Sequence, residues 1–255
     1  MFQTRKKIIV ASGSPRRQQF FKNLGMEFQV LNIQKNELYE EREYSIPKRG
    51  VLGVHDREER PCGNEKPEEY VKRMVRSKAY GALSYLGVLE EGYTISAVFE
   101  KTCAEQPLSF PFETFSFSHL TEESKNISII TADTIVCMAG EILGKPRSEQ
   151  EAFAMLKKLK GKTHAVITAV AFTDMADKAC YVFSDKTEVT FAPWADAVLE
   201  AYAKTGEGFD KAGAYGISGT GSFLSSSVHG CLDTVIGLPV AKCVEFLLWN
   251  GAITV

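Results

Sequence analysis

The sequence lacks the patterns that mark several large classes of protein. Its six cysteines contain no C-x-x-C pair and its four histidines are isolated, so neither a zinc site nor a disulfide framework is indicated. No hydrophobic run approaches the length of a membrane span or a signal-peptide core. The net charge of -2 gives no overall attraction to a nucleic-acid backbone. We therefore expect a cytoplasmic protein without a membrane or a nucleic-acid polymer as partner.

Three catalytic or nucleotide-binding motifs are also incomplete. The GKT at 161–163 resembles the end of a Walker A loop, but Leu156 stands where that loop needs glycine. The glycine pairs at 206–208 and 219–221 lack the third glycine of a dinucleotide fingerprint. No G-x-S-x-G is present, which removes the usual sign of a serine hydrolase.

The composition and the order of predicted elements indicate an α/β fold. With 255 residues, 44% of them hydrophobic and 24% charged, the chain is long enough and apolar enough to bury a continuous core. Strands and helices alternate at both ends, and paired strands lie between them, which favours a mixed sheet flanked by helices. The predicted helices lie at 15–24, 67–83, 148–159, 194–204 and 239–248, and the predicted strands at 7–11, 28–31, 128–131, 135–138, 141–143, 164–172 and 181–191.

A candidate anion site opens the first helix. Arg16 and Arg17 follow a Ser-Gly-Ser-Pro turn, so free amides, the positive helix end and two guanidinium groups converge at one point. This arrangement suits a triphosphate. The alternative from the pattern alone is a solvated basic first turn.

A candidate catalytic carboxylate lies in the middle of the chain. Asp133 stands between the apolar runs 128–131 and 135–138, so we expect it to emerge where a buried strand ends. Sheet proteins commonly present catalytic groups from such positions. A carboxylate that only caps a turn is the alternative.

Two lysines and one glutamate extend this candidate site. Lys145 precedes Pro146, which fixes the local chain direction, and a lysine held in this way can contact a phosphate. Lys78 lies in the apolar stripe of a predicted helix, so it either meets an anion or extends its amine to solvent. Glu37 is one of several acidic candidates for a metal ligand beside Asp133, although that acidic run also fits a solvated surface.

Six short motifs, in this order, closely resemble the Maf family. They are ASGSPRR at 11–17, ADT at 132–134, LGKP at 143–146, LKGKTH at 159–164, KAGAYGI at 211–217 and VIGLP at 235–239. The resemblance implies a nucleotide pyrophosphatase, related to the inosine triphosphate pyrophosphatases, that releases a monophosphate and pyrophosphate. It also implies a mixed sheet, two lobes around a central cleft, and a homodimer.

The resemblance assigns a role to each matching residue. It makes Asp133 the acceptor of a proton from water and places Glu37 with Asp133 around Mg²⁺ or Mn²⁺. It adds Lys78 and Lys145 to the catalytic group. The residues that it implies for substrate binding are Ser12, Arg16, Arg17, Thr134, Tyr215 and Ser218.

Base preference follows from three of these positions. Arg16 and Thr134 match the branch of the family that acts on dTTP and UTP, rather than the branch that acts on 7-methyl-GTP. That branch has a glutamine where this chain has Ser218, and serine cannot offer a pyrimidine the paired donor and acceptor of an amide. Modified purine nucleotides and a non-catalytic regulator of septum formation are therefore the alternatives.

The chain is predicted to form a single Maf-like domain over 1–255 with two enlarged segments, at about 44–64 and about 90–125. Neither segment has clean periodicity, and the second contains five phenylalanines, which argue against plain disorder. Surface decoration is the default expectation for this Phe-rich segment.

Overall fold

The computed structural model describes residues 1–32, 37–39, 61, 64–88, 99–102, 108–117 and 126–255, with the backbone alone for 37–39 and 99–102. Most of the first enlarged segment and more than half of the second lie outside the described residues. The predictions for those parts therefore stay predictions.

The described chain folds into six α-helices and twelve strands. The helices are α1 (Pro15–Asn23), α2 (Pro67–Tyr85), α3 (Glu149–Leu159), α4 (Asp196–Lys204), α5 (Leu232–Ile236) and α6 (Val240–Trp249). The strands are β1 (Gln3–Thr4), β2 (Lys7–Val10), β3 (Gln29–Asn32), β4 (Glu37–Tyr39), β5 (Phe99–Thr102), β6 (Glu113–Phe117), β7 (Ile127–Met138), β8 (Glu141–Leu143), β9 (Thr163–Asp174), β10 (Ala179–Phe191), β11 (Ser225–His229) and β12 (Ile253–Thr254). Each helix and strand predicted from periodicity corresponds to one of these elements, except the break within β7 described below.

Ten of these strands form one mixed sheet. Its order is β4-β3-β2-β7-β9-β10-β6-β5, with β8 paired to β7 and β11 paired to β10. β2 runs parallel to β3 and β7, whereas the other pairs are antiparallel. This arrangement confirms the predicted mixed α/β fold.

Helices cover both faces of the sheet. α2 packs its buried side chains, such as Val75, on one face, in a cluster with Ile129 and Ala169. α1 and α6 cover the opposite face, where Phe21 and Phe246 join a second cluster. A third cluster joins α3 and α4 to the ends of β7, β9 and β10. The central strands are therefore buried on both faces of the sheet.

The start of α3 is capped by Ser148, in a modified form of the capping box that the sequence Ser148-x-x-Glu151 predicts. The Ser148 hydroxyl accepts a hydrogen bond from the Glu151 backbone N–H at 3.1 Å, as expected for an N-cap serine. The Glu151 carboxylate accepts from the Arg147 N–H at 2.8 Å, whereas a full capping box uses the N–H of the cap residue itself. The helix start is thus stabilised from two sides.

The expected strand end at Asp133 is wrong. β7 runs without interruption from Ile127 to Met138, and its pairing with β9 continues through Asp133, which lies opposite Ala169. The backbone pairing with β9 keeps this segment in the strand although its sequence contains an acidic residue. Asp133 therefore lies in the middle of a strand.

The expectation of surface decoration is also wrong for the described part of the Phe-rich segment. Phe110 and Phe112 are buried in the cluster beneath α6, and Phe115 and Phe117 are buried in the cluster beneath α2. β6 pairs with β10 and so extends the main sheet. Within the described residues, no helix is long and apolar enough to cross a membrane.

Candidate active site

A gap along one edge of β7 forms the candidate site. On the side away from β9, β7 pairs with β2 as far as Ile130 and with β8 from Val136 onward. No described strand pairs with the residues between these points on that side. Successive strand residues point to opposite faces, so Asp133 and Thr134 emerge on different faces beside this open edge. A cleft of about 360 Å³ lies here and is lined by both residues.

The structure brings nine of the ten predicted residues to this cleft. They are Ser12, Arg16, Arg17, Lys78, Asp133, Thr134, Lys145, Tyr215 and Ser218. The tenth, Glu37, has only its backbone described, in β4 directly opposite Asn32. Asn32 itself lines the cleft, so the chain at Glu37 runs beside it.

Asp133 meets Lys78 across the sheet face that α2 covers. The Lys78 Nζ lies 2.9 Å from the Asp133 Oδ1, and both side chains are largely screened from solvent. Burial by itself would raise the pKa of Asp133, but the charges of Lys78 and Arg17 act in the opposite direction and bring the pKa below the usual aspartate value. Lys78 thus meets an anion, one of the two outcomes expected for it, and Asp133 is held ionised.

Arg17 is fixed by three acceptors from separate parts of the chain. It donates to the Gly237 carbonyl at 2.8 Å, the Thr134 Oγ1 at 2.9 Å and the Ser12 Oγ at 3.3 Å. Gly237 has a φ of 129°, a conformation that side chains rarely adopt, and a Cβ there would also lie 3.5 Å from the Arg17 Nε. Burial lowers the pKa of Arg17, and the charge of Asp133 offsets part of that effect.

The other two cations lie at the outer part of the cleft. Arg16 forms an ion pair with Asp210 at 3.0 Å, and the Asp210 side chain is 63% exposed. Lys145 is exposed, and none of the described residues pairs with it. These side chains are therefore free to rearrange around a ligand.

The loop at 212–218 forms one wall and is held from beneath. The Tyr215 hydroxyl lies 2.8 Å from the His164 Nε2, and the Tyr202 hydroxyl accepts from the Gly216 N–H at 3.1 Å. Burial lowers the pKa of His164 to about 4, so its ring is neutral at physiological pH. Ser218 ends this wall in an exposed position without a side-chain capping bond.

The cleft is lined by aliphatic side chains as well as by cations. The aliphatic side chains are those of Val136, Val166, Ile217, Val235 and Ile236. A charged, phosphate-sized group suits the cations, and a flat apolar ring suits the aliphatic side chains.

Sequence reasoning missed several residues of this site. Asn32 and Asp210 line the cleft, and His164 and Thr168 lie directly behind residues that do. His164 belongs to one of the six quoted motifs, which was the only available indication, whereas Thr168 had none. Among the side chains that the structure describes, which do not include that of Glu37, no three or more metal-binding groups lie together.

Comparison with known proteins identifies the family of this chain. A family model described as Maf-like protein matches residues 7–249. The dTTP/UTP pyrophosphatase of Desulfotalea psychrophila is 33% identical over all of both chains. That of Nitratidesulfovibrio vulgaris is 32% identical, covering 99% of this chain and 91% of the relative, and that of Escherichia coli O157:H7 is 32% identical over 94% and 91%. The chain therefore belongs to the Maf family.

Proposed function

We propose that this protein hydrolyses nucleoside triphosphates, with dTTP and UTP preferred, to the monophosphate and pyrophosphate. The observation that carries the proposal is the ion pair of Asp133 with Lys78, in a cleft that also contains Arg16, Arg17 and Lys145. The relatives named dTTP/UTP pyrophosphatases support the choice of substrate.

Asp133 is the proton acceptor in this proposal. It orients a water molecule and takes one proton while the water oxygen forms a new bond to phosphorus and the bond to the departing pyrophosphate breaks. Lys78 keeps the carboxylate ionised and stabilises the negative charge that builds on the phosphate oxygens. Arg17 donates from a fixed position, which avoids the cost of ordering it during the reaction.

The donor set fits a divalent ion, Mg²⁺ or Mn²⁺. Magnesium binds proteins through one or two carboxylates together with substrate phosphate oxygens. Asp133 offers one carboxylate, and Glu37 is the proposed second, because its backbone lies opposite the cleft-lining Asn32. When bound, the ion would neutralise charge on the phosphate oxygens.

The aliphatic side chains of the cleft form the proposed base site. Val136 and Val166 offer an apolar surface to a pyrimidine ring, and Thr134 lies two residues from Val136 on the same face of β7. Arg16, Tyr215 and Ser218 complete the proposed substrate contacts. A serine at 218 contacts the base less extensively than a glutamine would, so we expect some tolerance toward other bases.

A nucleotide panel tests the proposal. Purified protein is incubated with dTTP, UTP, CTP, GTP and 7-methyl-GTP, with Mg²⁺ or Mn²⁺, and pyrophosphate release is measured. We expect the highest kcat/KM for dTTP and UTP, and no release without the metal. Absence of turnover for every triphosphate would refute the proposal, and preference for 7-methyl-GTP would refute the base assignment. Sedimentation of the same sample tests the predicted homodimer.

A further inference from the structure

A chain of threonine hydroxyls runs from the cleft into the sheet. The Arg17 Nη2 donates to the Thr134 Oγ1 at 2.9 Å, and the Thr134 Oγ1 lies 2.9 Å from the Thr168 Oγ1. The Thr168 hydroxyl in turn donates to the Thr234 carbonyl at 2.7 Å. Thr134 and Thr168 are direct partners in the β7–β9 ladder, so the strand register sets this contact.

The far end of this chain of hydroxyls is anchored by an ion pair. The Thr234 hydroxyl donates to the Asp185 carboxylate, which also forms an ion pair with Lys242 of α6 at 2.6 Å. Thr234 is fully buried, as is Thr168. The Thr234 carbonyl that accepts the hydrogen bond from Thr168 is therefore held in place.

The direction of each hydrogen bond follows from the number of protons. A hydroxyl has one proton to donate and two lone pairs to accept with. A carbonyl only accepts, so Thr168 uses its single proton in the hydrogen bond that it donates to the Thr234 carbonyl. The bond between the two hydroxyls must then use the proton of Thr134. One lone pair of Thr134 is occupied by Arg17, and one lone pair is left.

We propose that Thr168 is a positioning residue that makes the Thr134 hydroxyl a hydrogen-bond acceptor only, so that the cleft selects a base that presents an N–H at this point. The proposal rests on the proposed function for the identity of the ligand. In uracil and thymine, the ring N3–H is the one donor on the base-pairing edge, whereas cytosine has a lone pair at that nitrogen. Thr168 thus favours uracil and thymine over cytosine without touching the substrate.

The variant Thr168→Val tests this proposal directly. Valine keeps the shape of threonine but removes the acceptor for the Thr134 proton, so Thr134 becomes able to donate into the cleft. We expect the ratio of kcat/KM for UTP over CTP to fall roughly tenfold, the scale of one neutral hydrogen bond in a site shielded from water. An unchanged ratio in a folded variant would overturn the proposal.

Two control variants separate this effect from general damage. Thr168→Ser keeps the hydroxyl and should restore the wild-type ratio. Thr173→Val makes the same change at an equally buried position of β9 that does not line the cleft, and it should leave the ratio unchanged. A loss of selectivity in Thr173→Val equal to that in Thr168→Val would show that the effect is not specific to the threonine chain.

A measurement on the wild type covers the case in which Thr168→Val does not fold. The analogue 3-deaza-UTP carries a C–H in place of the N3–H, and we expect its kcat/KM to be roughly tenfold below that of UTP. Equal values for the two substrates would overturn the proposal.

Equilibrium binding separates this proposal from the proposed function. Calorimetry with α,β-methylene-UTP and α,β-methylene-CTP measures selectivity without hydrolysis. If no triphosphate is hydrolysed but the wild type still prefers the uridine analogue and Thr168→Val does not, the proposed function fails and the role of Thr168 stands. If hydrolysis occurs and both proteins bind the analogues with the same preference, the role of Thr168 fails alone.

Discussion

The floor and the rim of the cleft are built differently. We define the floor as Arg17, Asp133 and Thr134. Arg17 donates to the Thr134 hydroxyl and to a backbone carbonyl, and Asp133 and Thr134 each form a hydrogen bond with a further side chain. The rim consists of Arg16 and Lys145, of which one has an exposed ion-pair partner and the other has none among the described residues. Positively charged side chains therefore occur both in a fixed network at the floor and in exposed, adaptable positions at the rim.

This difference teaches how one cleft can both capture and transform a charged ligand. Buried polar networks hold their geometry because breaking one bond leaves a desolvated group unpaired. Exposed ion pairs are worth little and reorganise at small cost. We therefore assign transition-state contacts to the floor and initial phosphate capture to the rim.

The largest expected effect comes from the carboxylate of the floor. Asp133→Asn keeps the shape but cannot take a proton from water, so we expect kcat to fall by about 10³-fold or more. Pyrophosphate release measures the rate, and thermal denaturation checks the fold. A variant that keeps most of the wild-type kcat would break the assignment of Asp133 to the floor chemistry.

A lysine at position 17 should also have a large effect. Arg17→Lys keeps the charge but cannot reach Gly237, Ser12 and Thr134 together, so we expect kcat/KM to fall by about 10²-fold. Arg16→Lys is the matched control at the rim, where we expect a loss of roughly threefold to tenfold. Equal losses in the two variants would remove the distinction between floor and rim.

The burial of His164 beneath the loop at 212–218 predicts that the free energy of unfolding depends on pH. The pKa of His164 is about 4 in the folded protein, below its ordinary value near 6.5, so the unfolded chain binds the extra proton first. The contribution of His164 to the free energy of unfolding should therefore be complete above about pH 6.5 and decrease by about 3 kcal/mol as the pH falls to 4.

Urea denaturation across this pH range measures the effect. His164→Gln should flatten this part of the profile, because glutamine does not titrate. His229→Gln, at an exposed histidine of β11, is the control and should leave the slope as it is. If the wild-type profile is already flat between pH 4 and 6.5, His164 is not held in a dry position.

The smallest effect is expected at the rim. Asp210→Asn releases Arg16 from an exposed ion pair, and we expect KM for the triphosphate to change by less than about threefold, with kcat unchanged. Initial rates over a range of substrate concentrations give both constants. A large fall in kcat would show that the rim takes part in the chemical step.

Much of this site could be predicted from the sequence because its residues lie in short motifs. Arg16 and Arg17 are recognisable from the turn and helix start, and Lys145 from the proline that follows it. The position of Asp133 within β7 was not predictable, since it depends on a ladder with β9, which lies more than thirty residues away. The threonine chain depends on the same register, and a single buried threonine in a strand has no distinguishing pattern.

The Phe-rich segment shows the same limit in a different way. Its phenylalanines argue against plain disorder, but the sequence does not say against which element they pack. In the structure, β6 lies between β10 and the edge strand β5, three strands from β7.

The contacts between β6 and α2 link this distant part of the sheet to the helix that carries Lys78. Glu113 forms an ion pair with Lys72 at 3.1 Å, and the Arg76 guanidinium lies 4.5 Å from the centre of the Phe115 ring. Both cations belong to the helix that carries Lys78, one of them only two residues away. A substitution in β6 that removes either contact is therefore expected to change how firmly α2 holds Lys78 beside Asp133.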